Sequence, residues 1–88
     1  MTYSVRMAAQ PQRYVDRLDR PTQVRIAERL ELLAADPFDG SYSKPLKNAY
    51  RLRSSRVGAL RILFTADRGE MVIVVEKMAP RGQVYRRL

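Results

Sequence analysis

The sequence of 88 residues contains no cysteine, no histidine and no tryptophan. Without cysteine, a disulfide framework and thiolate chemistry are excluded. Without histidine, the chain lacks the usual acid–base group at neutral pH and the commonest metal ligand. No stretch approaches the roughly 20 apolar residues of a membrane span, and residues 1–10 contain no apolar run long enough for a signal peptide. We therefore expect a cytoplasmic protein that uses no membrane, metal or cofactor.

The length sets the next limit. A chain of this size buries only about 60% of the surface that its unfolded form exposes, so its core is thin. We interpret residues 1–88 as a single domain, with no room for an internal repeat or a dedicated cofactor fold.

Positive charge is abundant and unevenly distributed. The net charge is +8; residues 1–44 hold seven basic and six acidic side chains, whereas residues 45–88 hold ten basic and three acidic ones. A field of this kind attracts polyanions and accelerates their encounter with the protein. The asymmetry favours nucleic acid as the partner, with an acidic protein as the second possibility and a basic surface that only aids solubility as the third.

The first half of the chain has the spacing of one strand and two helices. Alternation of apolar residues over residues 3–7 predicts a short strand with one buried face. Helical spacing follows over residues 8–19, and a second helix, with Thr22 as its predicted cap, ends before Asp36-Pro37. Its predicted apolar stripe consists of Val24, Ile26, Ala27, Leu30, Leu33 and Ala34.

The second half of the sequence has the alternating apolar residues and short turns that are typical of β-strands. Residues 38–47 are rich in turn-forming residues and predict a loop. Alternating or apolar runs over residues 50–53, 60–64 and 71–75 predict three strands, joined by short turns that make neighbours antiparallel. The predicted fold class is α+β: an N-terminal strand, a two-helix hairpin, then three antiparallel strands forming one sheet with the helices on one face.

Arginines dominate the strand region and form the candidate site. Arg51 and Arg53, two residues apart, are predicted to project from the sheet face opposite the helices, with Arg61 of the next strand beside them. Arg81 follows the central strand, and Tyr85 comes four residues later. We predict that Arg51, Arg53, Arg61 and Arg81 converge on one face.

A cluster of guanidinium groups suits phosphate, because each is permanently charged and can donate two parallel N–H bonds. In RNA cleavage the 2′-OH attacks the adjacent phosphorus, and fixed cations stabilise the charge that develops there. RNA brings its own nucleophile, so a protein without histidine, cysteine or a metal can cleave it, whereas DNA has no 2′-OH. Arg56, Lys44 and Lys47 would strengthen RNA and phosphate binding, although such cations, like any lone arginine, are more often simply solvated.

Three segments resemble the RelE branch of the RelE/ParE toxin superfamily: KPLKNAYRLR at residues 44–53, RVGALRILF at residues 56–64 and MAPRGQVY at residues 78–85. The order of predicted elements is similar as well, so the resemblance covers the whole chain. It implies the toxin of a type II toxin–antitoxin system, an endoribonuclease that cleaves mRNA in the 30S decoding site of the ribosome and so inhibits translation. It also implies neutralisation by a cognate antitoxin whose C-terminal segment wraps the toxin.

By position, the resemblance gives catalytic roles to Arg51, Arg53, Arg61, Arg81 and Tyr85. Well-studied RelE enzymes carry lysines where this chain has Arg51 and Arg53. Arginine clamps phosphate well but is a poor proton donor or acceptor, because its pKa exceeds about 12. We therefore hypothesise that Tyr85 takes part of the proton transfer while the arginines stabilise charge.

Two other functions fit the same pattern. One is a ParE-like inhibitor of DNA gyrase without nuclease activity, and the other is an RNA- or ribosome-binding domain that acts by occlusion. In each case the basic groove and the apolar helix hairpin predict an acidic, partly helical antitoxin segment as partner.

Overall fold

The computed structural model describes residues 2–47, 49 and 51–80. In chain order the elements are β1 (Ser4–Met7), α1 (Ala9–Asp16), α2 (Arg20–Ala35), β2 (Lys44–Pro45), β3 (Arg53–Val57), β4 (Leu60–Asp67) and β5 (Val72–Pro80). The strands form one sheet in the order β1-β5-β4-β3-β2. Residues of both helices pack with the sheet in one core cluster, so the predicted α+β class with helices on one face is confirmed.

The sheet differs from the prediction in two details. β2 is a two-residue strand within the segment predicted as a loop, and it pairs with the start of β3. β1 pairs with β5 in parallel, whereas the other neighbours are antiparallel. β1 and β5 are the first and last strands, so all other elements lie between them in the chain. A connection of this length allows two strands to pair in parallel.

α2 begins at Arg20, and its cap lies three residues before Thr22, the residue predicted to cap it. Asp19 is the cap: its carboxylate accepts from the Thr22 backbone N–H at 3.3 Å and from the Thr22 hydroxyl at 2.7 Å. Aspartate is among the best capping residues because its oxygen pairs with a backbone N–H that has no partner within the helix. The predicted end is confirmed, since α2 stops at Ala35, before Asp36-Pro37.

The Asp19 cap makes the stability of α2 sensitive to acid. The hydrogen bond from the Thr22 hydroxyl is the main reason that the pKa of Asp19 lies below its ordinary value of 3.8. The charged form is therefore favoured by folding, and its stabilising effect is present above pH 3.8 and lost as the pH falls below it. We expect the thermal midpoint of the wild type to fall more steeply over this acidic range than that of Asp19→Asn, which keeps a cap but cannot titrate. Parallel slopes in circular dichroism melts would contradict this.

The core lies between the helices and the sheet. Ile26 and Leu33 of α2 are buried against Ile62, Phe64 and Val75. The apolar stripe of α2 is narrower than predicted: Ala27 is exposed and Val24 retains 45% of its exposure. No helix in the described ranges is both long and apolar enough to cross a membrane.

Beyond the end of β1, the side chain of Gln10 pairs with the edge of β5. β1 covers only the residues of β5 from Val72 to Val75. Further along, the Gln10 carboxamide donates to the Met78 carbonyl at 2.9 Å and accepts from the Met78 N–H at 3.0 Å. This pairing ties α1 to β5 and satisfies backbone groups that would otherwise lack partners.

Candidate nucleic-acid interface

Basic side chains occupy the outer face of the sheet, defined here as the face opposite the helices. Strand register and the alternation of side chains place four rows on this face; the two nearest the β3–β4 turn are basic, and the other two contain Arg6 and Asp67. One basic row runs Lys44, Ser54, Leu63, Lys77, and the next runs Arg56, Arg61, Ala79. Leu63 and Ala79 belong to a separate small cluster, away from the helix-facing core, which confirms this assignment. Four of the seven positions in these two rows are therefore cationic and none is acidic; Glu76 lies at the bulge beyond them, next to Thr65.

Arg56 and Arg61 lie directly opposite each other on the β3–β4 hairpin. Val57 and Leu60 flank its two-residue turn, so the next pair belongs to the closely spaced, non-hydrogen-bonded type. Gly58 has φ 58, the left-handed conformation that the first central residue of such a turn requires. The Arg56 Nε–H donates to the Gly58 carbonyl at 3.0 Å, which holds its guanidinium over the turn. Like charges placed opposite each other destabilise a sheet, so this pair indicates a role other than stability.

Arg61 is half-buried, and its Nε is buried without any hydrogen-bond partner in the described part of the chain. Burying a charged donor without an acceptor is unfavourable. Such a group binds an external anion at a lower desolvation cost than a fully hydrated one, because part of its water has already been removed. The Nε of Arg29 is buried in the same way. Arg61 differs from Arg29 because its terminal nitrogens have no hydrogen-bond partner among the described residues, and these are the groups that an external anion would meet.

Arg29 of α2 supports this hairpin from the opposite side. Its Nη1 donates to the Ser55 hydroxyl at 3.0 Å and to the Arg56 carbonyl, and its guanidinium lies 5.2 Å from the centre of the Tyr42 ring. β2 pairs only with the first two residues of β3, so the later edge of β3 is open. Arg29 donates to a backbone carbonyl on this open edge. Neither Arg29 nor Lys77 was among the residues predicted for the site. The spacing of Arg25 and Arg29, four residues apart on one helix face, was the available signal.

Arg29, Lys44, Arg56 and Arg61 line one groove, together with Ser54, Gly58 and residues 40–43 and 45–46; it is called the Arg61 groove below. It has a volume of about 640 Å³. Three of the predicted residues, Lys44, Arg56 and Arg61, are thus brought together here.

The predicted convergence of Arg51, Arg53 and Arg61 is wrong, because Arg53 is on the helix side of the sheet and Arg51 lines a different groove from Arg61. Arg51 precedes the strand and has φ 72, a left-handed conformation that interrupts the alternation assumed for residues 50–53. Arg53, the first residue of β3, is paired with Phe64, whose side chain faces the helices. Leu52, which strict alternation over residues 50–53 would place on the helix side, packs instead on the outer cluster of Leu63 and Ala79.

Arg53 is held by its neighbours at the end of the sheet. Its Nε–H donates to the Ser43 hydroxyl at 2.6 Å. The guanidinium groups of Arg53 and Arg68 lie 5.0 and 4.2 Å from the centre of the Phe38 ring. Burial, and then the nearby charge of Arg68, lower the pKa of Arg53, while the Asp36 carboxylate opposes the shift. These contacts make Arg53 an anchor for the loop after α2.

Arg51 and Arg53 line a second groove of about 1210 Å³ with Arg6, Phe38 and Arg68, called the Arg53 groove. Pro45 and Leu46 line both grooves, so the two cavities adjoin across this segment. Lys47 is exposed and lines neither groove. Arg81 and Tyr85 lie outside the described residues, and their predicted roles remain predictions.

Solved structures with the same architecture exist despite low sequence identity. An archaeal RelE–RelB complex from Pyrococcus horikoshii contains a chain with a TM-score of 0.80 and 24% identity, covering 94% of this chain and 99% of that one. The isolated RelE toxin of E. coli superposes with a TM-score of 0.76 at 13% identity, covering 94% and 90%. The chain has the RelE fold.

A third solved structure has the same fold. The toxin–antitoxin complex RelBE2 from Mycobacterium tuberculosis contains a chain with a TM-score of 0.81 and 23% identity, covering 92% of this chain and 93% of that one. No protein-family model matches the sequence, and no curated protein matches it. The chain therefore shares the RelE fold with these structures at low sequence identity.

Proposed function

We propose that the protein is the toxin of a type II toxin–antitoxin system and that it inhibits translation by cleaving mRNA on the ribosome. The observation that carries this proposal is the basic outer face: Arg56 opposes Arg61 next to Lys44, and Arg61 has a buried Nε without an acceptor. The RelE fold supports the same conclusion, since the similar structures include an isolated RelE toxin and two toxin–antitoxin complexes.

In the proposed reaction, Arg61 binds the non-bridging oxygens of the scissile phosphate in the Arg61 groove. The 2′-OH of the same nucleotide attacks phosphorus, a P–O bond to the next nucleotide breaks, and a 2′,3′-cyclic phosphate and a 5′-OH result. Arg61 and Arg56 stabilise the charge on the five-coordinate transition state, for which one well-placed donor typically contributes about 10²–10³-fold in rate. Lys44 and Lys77 raise the local potential and attract the RNA backbone.

Proton transfer needs a different group, because arginine releases its proton too reluctantly. We keep Tyr85 in this role and Arg81 as a further phosphate ligand. Arg53 acts here by ordering Ser43, which lines the Arg61 groove, and Phe38, which lines the Arg53 groove. Arg51 acts through the Arg53 groove. Lys47 contributes charge alone.

The proposed partner is an acidic antitoxin with a partly helical C-terminal segment. Its acidic side chains would neutralise the outer face. Val24 and Leu32 are eight residues apart on α2 and retain 45% and 42% exposure, so they offer apolar contacts to a helical segment. The proposed site of action is the cytoplasm, where ribosomes translate.

The test is cell-free translation of a reporter mRNA, with its 5′ ends mapped by primer extension. The proposal expects cuts within codons that appear only when ribosomes are present, and loss of cutting when the protein encoded by the neighbouring gene is added. A DNA gyrase supercoiling assay runs in parallel. Intact mRNA together with inhibited gyrase would replace this proposal with ParE-like inhibition, and intact mRNA with stalled translation would replace it with occlusion.

A further inference from the structure

Two arginines of α2 meet the turn of the β3–β4 hairpin. The Arg25 guanidinium packs on Gly58: its Nη2 lies 3.2 Å from the position that a Cβ would occupy at residue 58. Arg29, one helical turn later, binds the strand that leads into the same turn. Glycine at position 58 thus serves the turn conformation and also leaves room for an arginine from the helix layer.

The turn therefore joins two sets of cations that come from different layers of the fold. Arg56 and Arg61 approach it from the outer face, and the Arg56 Nε–H is bonded to the Gly58 carbonyl. Arg25 and Arg29 approach it from α2. Within residues 2–47, 49 and 51–80, none of these four guanidinium groups is paired with a carboxylate, although Glu28 is exposed next to Arg29. Carboxylates of the described residues therefore do not neutralise these four cations.

We propose that these residues form a continuous track for an RNA backbone, from the Arg61 groove around the hairpin turn to Arg25 on α2. The inference rests on the proposed function and extends it, because it assigns phosphates beyond the scissile one to a helix outside the catalytic face. An acidic peptide fits the track less well. Arg56 and Arg25 converge on a narrow turn. One extended RNA strand carries a phosphate at every nucleotide and so presents closely repeated anions to these arginines. The track sets a minimum length of bound RNA and makes α2 part of the substrate site.

The measurement is the salt dependence of binding to 2′-O-methyl RNA, which cannot be cleaved by 2′-OH attack. Fluorescence anisotropy is recorded with oligonucleotides of about 4 and about 16 nucleotides, the limits of the site sizes that OB folds show on single strands. Each lost phosphate contact should reduce the slope of log K against log salt by about 0.7 for single strands. We expect Arg25→Gln to reduce the slope by this amount for the long oligonucleotide and not for the short one. Arg13→Gln, an exposed arginine of α1, is the matched control.

The outcomes separate this inference from the proposed function. Equal slopes for Arg25→Gln and Arg13→Gln would overturn the track. The proposed function would still hold if the protein cuts mRNA on the ribosome. A reduced slope for Arg25→Gln in a protein that does not cut mRNA would support the track and reject the nuclease. Polyglutamate that competes as well as RNA of equal length, with the same dependence on Arg25, would overturn the choice of RNA.

Discussion

Replacing Arg61 with methionine will reduce RNA cleavage by about 10²-fold or more and will raise the melting temperature. The loss of activity follows from removing the donor that binds the scissile phosphate. The gain in stability has two causes: Arg61 opposes Arg56 across the hairpin, and its buried Nε has no partner. Relief of a like-charge pair in a sheet is worth about 0.2–1 kcal/mol. For a domain of this size, each kcal/mol shifts the midpoint by about 4–8 °C.

Opposite changes in activity and stability identify Arg61 as a functional residue. Primer extension on ribosome-bound mRNA measures the first change, and calorimetry measures the second. Arg13→Met removes the same charge from an exposed position on α1 and should leave both quantities nearly unchanged. If Arg61→Met lowers the melting temperature, the side chain serves the fold, and the assignment of an unsatisfied cation to this position is wrong. If the variant cuts mRNA at the wild-type rate, the Arg61 groove is not the cleavage site.

Replacing Leu63 with alanine will destabilise the protein by about 2–5 kcal/mol. Leu63 is fully buried on the outer face, where Leu46 and Leu52 cover it. Leu46 and Leu52 belong to one segment, residues 46–52, called the covering segment. Within it the Leu46 N–H donates to the Leu52 carbonyl at 2.9 Å, and the Leu52 N–H donates to the Ala49 carbonyl at 3.1 Å. The cavity left by alanine removes the apolar contact that holds this segment on the sheet.

The functional consequence of Leu63→Ala concerns Lys47 and Arg51, which belong to the covering segment. We expect faster tryptic cleavage after both residues and weaker mRNA cutting, measured at a temperature at which the variant remains folded. Leu32→Ala is the matched control, because Leu32 is 42% exposed on α2 and its truncation should change stability little. Unchanged trypsin sensitivity alongside the expected destabilisation would show that the segment is held by other contacts.

The order of elements and the class of the fold were determined by the sequence itself. Alternation over residues 3–7 and 60–64 marks strands because side chains alternate between the faces of a sheet. Asp36-Pro37 ends α2 because the residue before proline avoids helical angles. The apolar residues on both faces of Val72–Val75 placed β5 inside the sheet, where it lies between β1 and β4. These features are local, so one sequence suffices to predict them.

The composition of the site depended on tertiary structure. Arg51 and Arg53 share the spacing of neighbours on one strand face, but the left-handed backbone at Arg51 delays the strand until Arg53. A shift of one residue turns every following side chain to the other face. Arg53 therefore pairs with Ser43 and Phe38, while Arg56 takes the place on the outer face beside Arg61.

Contacts between distant elements were likewise invisible in the sequence. Arg25 and Arg29 have the pattern of a solvated helix face, and only the packing of α2 on the sheet brings them to the hairpin turn. The sequence by itself determined that the second half would be a strongly basic, strand-rich surface. The tertiary structure decided which arginines face an anion and which are held by the protein, because that depends on strand register and on what each guanidinium meets across the fold.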